Sequence, residues 1–242
     1  MFPLCTLSLC RPYTFLVLCI AMMIPGRAIL AAEVLTSDLL TEAFGHIVFQ
    51  TESGAGSTGK PLVRWGVPIV AHLDGGMSEQ YKPKVEKIFA TLSKLTGLPM
   101  GLAPHDSAFN FEIHFMPMAD VRRITKSSTI RCSGVLKGSS RDYLIARAIV
   151  YIANDDDHRI RHCLHEEIGR VLGLTNDSSL IADSLFNDTN DSRRSYSLSD
   201  MILIRALYDR RLRPGMSRKE AMPIARIILR ELATRLKEAG KM

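Results

Sequence analysis

The stretch from Glu166 to Asp177 constrains the fold more than any other part of the sequence. It reads Glu-Glu-Ile-Gly-Arg-Val-Leu-Gly-Leu-Thr-Asn-Asp. Three aspartates at 155–157 supply a helix N-cap upstream, where negative charge suits the helix dipole. Gly173 can end the helix in a left-handed turn. The pattern therefore predicts a helix over 158–172 and a turn that brings the following residues back toward it.

The same stretch resembles the zinc helix of the matrix-type metzincin peptidases, whose pattern is His-Glu-x-Gly-His-x-x-Gly-Leu-x-His. When the two are aligned on Gly169, Gly173 and Leu174, the glutamate is retained as Glu167. The three histidine positions are held by Glu166, Arg170 and Asn176. The resemblance implies an α+β, zincin-like fold, with a mixed β-sheet packed by helices and this helix in the position of the zinc helix.

The side chains at the ligand positions predict a degenerate site. A guanidinium has no lone pair to offer, so Arg170 cannot ligate zinc. Glu166 and Arg170 stand four residues apart in the favourable acid-to-base order, which predicts an ion pair in place of a metal clamp. This interpretation favours no metal and no cofactor, and a domain that binds a polypeptide or a cell-envelope partner without catalysis.

A second interpretation keeps catalysis. His158, His162 and Glu166 follow helical spacing, and His165 lies one turn from His162. In this alternative the chain is an atypical metal-dependent hydrolase or peptidase with Glu167 as the general base. Its zinc ligands would come from a set of five residues: His162, His165, Glu166, Asn176 and Asp177.

The first 32 residues are typical of a secretory signal peptide. An almost uncharged apolar run from Tyr13 to Pro25 follows Arg11, and small residues suited to cleavage stand at Ala28 and Ala32. The run is short for a membrane span, which needs about 20 apolar residues. We expect an exported protein, periplasmic or secreted, that has no transmembrane helix after cleavage at one of these alanines.

Cysteine usage agrees with export. After loss of the signal peptide the chain contains only Cys132 and Cys163. Two cysteines in an exported domain favour one disulfide, because such compartments are oxidising. The bridge would tie the central helix to the segment before the preceding strand.

The order of predicted elements divides the mature chain into three parts. Residues 33–61 form an N-terminal segment with a Gly/Ser-rich loop, 62–212 form the zincin-like domain, and 213–242 form a basic amphipathic helix. In the N-terminal segment, a short helix is predicted over 37–44, followed by an apolar run at 46–49. Within 62–212, a strand, a helix over 78–95 and further strands precede the central helix, as in zincin domains. These further strands are an alternating strand at 109–115 and a paired edge and core strand at 135–138 and 144–152. Leu198–Tyr208 resembles the helix that closes matrix-type domains.

A further resemblance is to a bacterial family of exported proteins of unknown function. In that family a cysteine and a Glu-Glu pair precede Leu-Gly-Leu-x-Asn-Asp, and Leu-Tyr and Pro-Gly-Met follow. The matching residues here are Cys163, Glu166-Glu167, Leu172-Gly173-Leu174, Asn176-Asp177, Leu207-Tyr208 and Pro214-Gly215-Met216. This resemblance implies no known activity.

Two partner classes are disfavoured. Gly54–Lys60 nearly spells a phosphate-binding loop, but Pro61 stands where a Ser or Thr hydroxyl should bind magnesium, so we expect no nucleotide. The net charge of +6 does not by itself indicate nucleic acid. Export and the lack of aromatics interleaved with the basic residues argue against that partner.

Overall fold

The computed structural model describes residues 35–50, 59–104, 107–138, 141–187, 189 and 192–239. The predicted signal peptide and most of the Gly/Ser-rich loop lie outside these residues. From Leu35 onward the chain forms one compact unit.

The centre of this unit is a mixed, mostly parallel sheet. Its strands are β1 (Arg64–Trp65), β2 (Ile69–Asp74), β3 (Met100–Leu102), β4 (Phe111–Met116), β5 (Cys132–Gly138) and β6 (Leu144–Ala153). The order β1-β6-β4-β2-β3 is parallel throughout, and β5 adds to β6 in the antiparallel direction. The predicted pairing of the strand at 135–138 with that at 144–152 is confirmed, and β5 begins three residues earlier than predicted.

Six helices surround or flank this sheet within the described residues. They are α1 (Ser37–Phe49), α2 (Ser78–Thr96), α3 (Met118–Thr125), α4 (Asp157–Arg170), α5 (Leu198–Leu207) and α6 (Arg218–Glu238). The prediction of a mixed sheet packed by helices is confirmed. None of the described helices is both long and apolar enough to cross a bilayer.

Alternation along the strands decides which face of the sheet the helices cover. Phe111, Ile113 and Phe115 of β4 are fully buried, whereas the residues between them are partly exposed. α2 packs against β2 and β3, and α4 packs against β5 and β6. The central helix is thus fixed beside the antiparallel edge of the sheet.

α1 and α6 pack against each other although they come from opposite ends of the described chain. The apolar residues 46–49, which the sequence left outside the predicted first helix, are its last turn. Ile47, Val48 and Phe49 are almost completely buried there, and this burial explains why the helix continues to Phe49.

The central helix begins and ends for identifiable reasons. The Asp156 carboxylate caps α4 by accepting a hydrogen bond from the His158 amide at 2.9 Å. The helix ends at Arg170, and Gly173 follows with φ of +116°. The positive φ predicted for Gly173 is confirmed. Glycine is also required because a Cβ there would lie 2.3 Å from the carbonyl oxygen of Val63.

Replacing Gly173 by alanine should therefore destabilise the protein more than an ordinary glycine replacement. Gly97 is the matched control, since it also has positive φ, +76°, but has no heavy atom near the site of a new Cβ. We expect Gly97→Ala to cost about 1–2 kcal/mol of unfolding free energy from backbone strain alone. Gly173→Ala should cost roughly 2 kcal/mol more, because the chain must also move away from Val63. Urea unfolding of both variants measures the difference, and equal losses would contradict the close approach.

The predicted disulfide is present. Cys132 at the start of β5 is bonded to Cys163 in the second turn of α4, with Cα atoms 5.9 Å apart. The bridge crosses 31 residues of sequence and ties the edge strand to the central helix. It is compatible with export to an oxidising compartment.

Candidate functional site

A cleft of about 890 Å³ lies between β5 and α4. One wall is the first half of β5, and the floor is the face of α4 that carries Glu166, Glu167 and Arg170. Thr175 and Asp177, from the turn after α4, close one end. The disulfide also borders the cleft, so its lining combines charged side chains with a sulfur–sulfur bond.

The predicted ion pair between Glu166 and Arg170 is present and has a third member. Arg170 Nη2 lies 2.8 Å from Glu166 Oε1, and the same nitrogen contacts Asp177 Oδ1. Only 20% of the Arg170 side chain is exposed and 13% of the Glu166 side chain. The turn at Gly173 thus brings the following residues back toward the helix, as predicted, and the residue that contacts Arg170 is Asp177.

Electrostatics hold this network in its charged form. Burial alone would lower the pKa of Arg170, but the charges of Glu167, Glu166 and Asp177 outweigh it and raise that pKa. Burial acts to raise the pKa of Glu166, and the His162 hydrogen bond and the Arg170 charge bring it below its ordinary value. Arg170 Nε is buried and has no hydrogen-bond partner among the described residues.

Glu167, the candidate base, is buried beneath the edge strand. Its side chain is packed against Gly134 of β5, whose backbone N–H donates to the carboxylate. Desolvation raises the pKa of Glu167 to about 7, even though Arg170 acts to lower it. A side chain on residue 134 would meet the Glu167 carboxylate at 3.0 Å, so β5 approaches α4 this closely only because that residue is glycine.

The two histidines proposed as ligands lie in different environments. His162 borders the cleft, where Nε2 is 3.1 Å from Glu166 Oε2 and Nδ1 donates to the Arg193 carbonyl at 2.6 Å. His165 does not line the cleft. Its Nδ1 donates to the Arg161 carbonyl within the helix, and burial lowers its pKa to about 4. His158, in the first turn of α4, is exposed.

Asn176, at the third ligand position, is directed away from the cleft. Its buried amide donates to the Ile47 carbonyl at 3.1 Å, and its backbone N–H does the same. It therefore fastens the turn after α4 to the C-terminal end of α1. Of the five residues in the alternative ligand set, His162, Glu166 and Asp177 line the cleft, and His165 and Asn176 do not.

The residues at the three positions of the metzincin pattern do not fit a zinc ion. The Arg170 guanidinium, a cation without a lone pair, holds the second position and pairs with the Glu166 carboxylate at the first. The Asn176 amide at the third position donates a hydrogen bond to the Ile47 carbonyl of α1. No catalytic step through a metal at these positions follows from this geometry.

The raised pKa of Glu167 predicts a particular pH dependence. Since its folded-state pKa of about 7 exceeds the ordinary 4.5, the folded protein holds this proton more tightly, and the stability it contributes declines as pH rises from 4.5 to 7. Glu167→Gln keeps the acceptor for Gly134 and abolishes the titration. The variant should gain roughly 3 kcal/mol over the wild type across that range. Urea unfolding of both proteins at several pH values tests this.

The comparison between the two proteins matters because His165 titrates in the opposite sense. Its folded-state pKa is lowered to about 4 from 6.5, so its contribution to stability rises with pH in part of the same range. Subtracting the wild-type curve from the Glu167→Gln curve removes this contribution. A difference that does not change with pH would contradict the buried, proton-binding Glu167.

Several residues that shape the site carry no signal in the sequence. Nothing in the local sequence distinguishes Gly134 from other strand glycines, because its role depends on the close packing of α4 against β5. Trp65 Nε1 donates to the Val171 carbonyl at 2.8 Å, and Tyr208 donates to the Leu172 carbonyl at 2.9 Å. These two bonds satisfy carbonyls at the C-terminal end of α4. Both partners come from distant parts of the chain, so local patterns could not identify them.

Comparison with known protein families assigns the chain but not its activity. Residues 37–227 match the family described as Protein of unknown function (DUF2927). The match covers most of the chain, which therefore belongs to this family. No curated protein matches it. The chain's own residues must carry any functional argument.

Proposed function

We propose that this protein is an exported, non-catalytic zincin-like domain that binds a polypeptide in the cleft between β5 and α4. The observation that carries the proposal is the ion-pair network of Glu166, Arg170 and Asp177 at the floor of the cleft, beside an open sheet edge. Two features support the proposed zincin-like fold: the antiparallel edge strand β5 packed over α4, and the glycine turn that follows α4. A fold does not by itself retain the chemistry of its relatives.

The outer edge of β5 provides the binding surface. No other described strand pairs with that edge. Ala153 N donates to the Arg131 carbonyl, and the register then directs the backbone groups of residues 133, 135 and 137 toward β6. The N–H and C=O groups of Cys132, Gly134 and Leu136 consequently point outward. The Gly134 N–H is already engaged by the Glu167 carboxylate, so the N–H groups of Cys132 and Leu136 are the outward donors left for a peptide. An extended peptide can add to such an edge through backbone hydrogen bonds.

The chemistry of the cleft argues for binding rather than hydrolysis. Arg170 lies at the position where the metal hydrolase needs a ligand, and it is neutralised by Glu166 and Asp177 rather than by substrate. Glu167 accepts the Gly134 N–H in a desolvated position. The charged floor offers ion-pairing and hydrogen-bonding groups to a peptide's side chains.

A proline at position 136 tests the edge-strand mode. Leu136→Pro removes one outward N–H without removing a bond to β6, because proline is tolerated where a strand's N–H faces solvent. Leu136→Ala is the matched control, since it shortens the side chain and keeps the N–H. On an immobilised library of short extended peptides, the alanine variant should bind as the wild type does. The proline variant should lose at least about tenfold in affinity.

The same preparation tests the absence of catalysis. Bound peptides should be recovered uncleaved, and elemental analysis of the oxidised protein should find only trace zinc. Equal peptide binding by the proline and alanine variants would contradict the edge-strand mode. Stoichiometric zinc that is lost on His162→Ala, together with peptide cleavage, would instead establish the atypical hydrolase.

A further inference from the structure

The disulfide and the two adjacent glutamates of α4 form a cluster that shares only Glu166 with the metzincin ligand positions. Cys132 Sγ and one carboxylate oxygen from each of Glu166 and Glu167 all lie within 4.8 Å of one another. Among the described residues this is the one group of three or more His, Cys, Asp or Glu donors close enough to share an ion. Cys163 Sγ is bonded directly to Cys132.

We infer that reduction of the Cys132–Cys163 disulfide creates a zinc site made of both cysteine sulfurs and the carboxylates of Glu166 and Glu167. In the oxidised chain the sulfurs share a covalent bond and are weak ligands. In the reduced chain each becomes a thiolate donor, and thiolates are preferred zinc ligands. The bridge thus acts as a cover over a latent metal site.

The distances are close to those a zinc ion requires. Zn–S bonds of about 2.3 Å and Zn–O bonds of about 2.0–2.2 Å place adjacent donors of a tetrahedral site about 3.3–3.8 Å apart. The three donors of Cys132, Glu166 and Glu167 already lie within 4.8 Å of one another and need to shift by about 1 Å to converge, while Cys163 Sγ starts bonded to Cys132 Sγ. The sulfurs must separate, and cleavage of their bond permits this.

Most of the charge is offset, because two thiolates and two carboxylates carry four negative charges while Zn²⁺ and the Arg170 guanidinium supply three positive ones, which leaves one net negative charge. Arg170 stays beside Asp177, so it can remain paired when zinc engages Glu166. Occupation by zinc would also hold Glu167 ionised, in place of the proton that burial favours.

The chemical steps use a dithiol as the reductant. Its thiolate attacks one sulfur of the bridge to give a mixed disulfide, and its second thiol displaces the other sulfur of that mixed disulfide. The protein gains two electrons and two protons as two thiols, and the dithiol leaves as a cyclic disulfide. Zinc then displaces both thiol protons. The cleft borders Cys132 and Cys163 and gives the reductant access. The inference does not depend on peptide binding.

The test compares the oxidised chain with the same chain reduced by a dithiol and freed of reductant under nitrogen. Zinc is titrated against a chromophoric chelator, and cobalt(II) serves as a spectroscopic substitute. We expect one zinc per reduced chain, none per oxidised chain, and thiolate-to-cobalt charge-transfer absorption only after reduction. Near-ultraviolet circular dichroism, dominated by the single tryptophan, reports whether the fold is retained.

Two variants separate this site from a bare pair of thiols. Glu166→Gln should weaken zinc binding by roughly tenfold or more, as loss of one of four ligands would. Asp120→Asn is the matched control, because Asp120 is also a carboxylate paired with an arginine, Arg123, but lies outside the cleft and is not a donor in the cluster. It should leave zinc affinity unchanged. Equal zinc binding by wild type and Glu166→Gln overturns the proposal. So does a reduced chain that binds no zinc, or one that unfolds and is not refolded by zinc.

Discussion

Arg170→Met is expected to lower the unfolding free energy by about 3–5 kcal/mol. The substitution keeps most of the side-chain volume and removes the charge that neutralises Glu166 and Asp177. Both carboxylates are largely sheltered from water, with 13% and 29% of their side chains exposed. Without the guanidinium they face each other and His162 without full compensation. Urea denaturation at neutral pH measures the loss.

Arg131→Met provides the control for this result. Arg131 pairs with Asp155 at 3.0 Å, but 38% and 44% of these side chains are exposed. Loss of such a surface pair should cost less than about 1 kcal/mol. Adding Glu166→Gln and Asp177→Asn to Arg170→Met should recover part of the stability, because the uncompensated charges are then gone. Similar losses for Arg170→Met and Arg131→Met would contradict the sheltered network.

Replacing both cysteines by serine, Cys132→Ser with Cys163→Ser, should lower the unfolding free energy by about 2–4 kcal/mol. The bridge closes a loop across 31 residues and restricts the unfolded chain. It also joins the edge strand to α4, so its loss loosens one wall of the cleft. Reductant should lower the wild-type midpoint in urea and leave the double variant unaffected.

Thiol labelling provides an independent check of the bridge. In the native oxidised protein, neither cysteine should react with an alkylating reagent until reductant is added. Labelling of both positions without reductant would show that the bridge does not form. The stability loss expected for the serine variant would then have no basis.

Local sequence signals predicted most of the fold. Gly97 ends α2, Asp156 caps α4 and Gly173 follows the end of α4, and alternation predicted β4 closely. α1 was predicted to end at Phe44, before the apolar run at 46–49. That run is instead the buried last turn of the helix, and α1 packs against α6, whose residues lie more than 150 positions away in the sequence.

The candidate site was predicted only in part for a similar reason. Helical spacing placed Glu166 beside Arg170, because that relation lies within one helix. The third member of the network depends on how the turn after Gly173 is oriented. Asn176 was predicted at a ligand position, and the packing of α1 draws its amide to Ile47 while Asp177 faces Arg170. Whether residue 176 or residue 177 of the turn faces the cleft is decided by tertiary packing, which the local sequence does not reveal.

Rebuilding the zinc site must take this orientation into account. Histidines at positions 166, 170 and 176 would restore the metzincin pattern on paper, with Glu167 retained. Asn176 is hydrogen-bonded to Ile47 of α1 and does not line the cleft. A histidine at position 176 would therefore not reach the histidines at 166 and 170 without rearrangement of the turn. The turn after α4 therefore does not bring residue 176 to the place where the pattern would need its third ligand.

Hydrogen exchange at the Leu136 amide tests the central claim most directly. In the free protein this N–H points outward from β5 and should exchange quickly, whereas the N–H of Val135 is directed toward β6 and should be protected. Saturation with the tightest peptide from the library should protect the Leu136 amide by roughly tenfold or more and leave Val135 unchanged. Unchanged exchange at Leu136 in the peptide-saturated protein, with new protection appearing elsewhere, would contradict binding on the edge of β5.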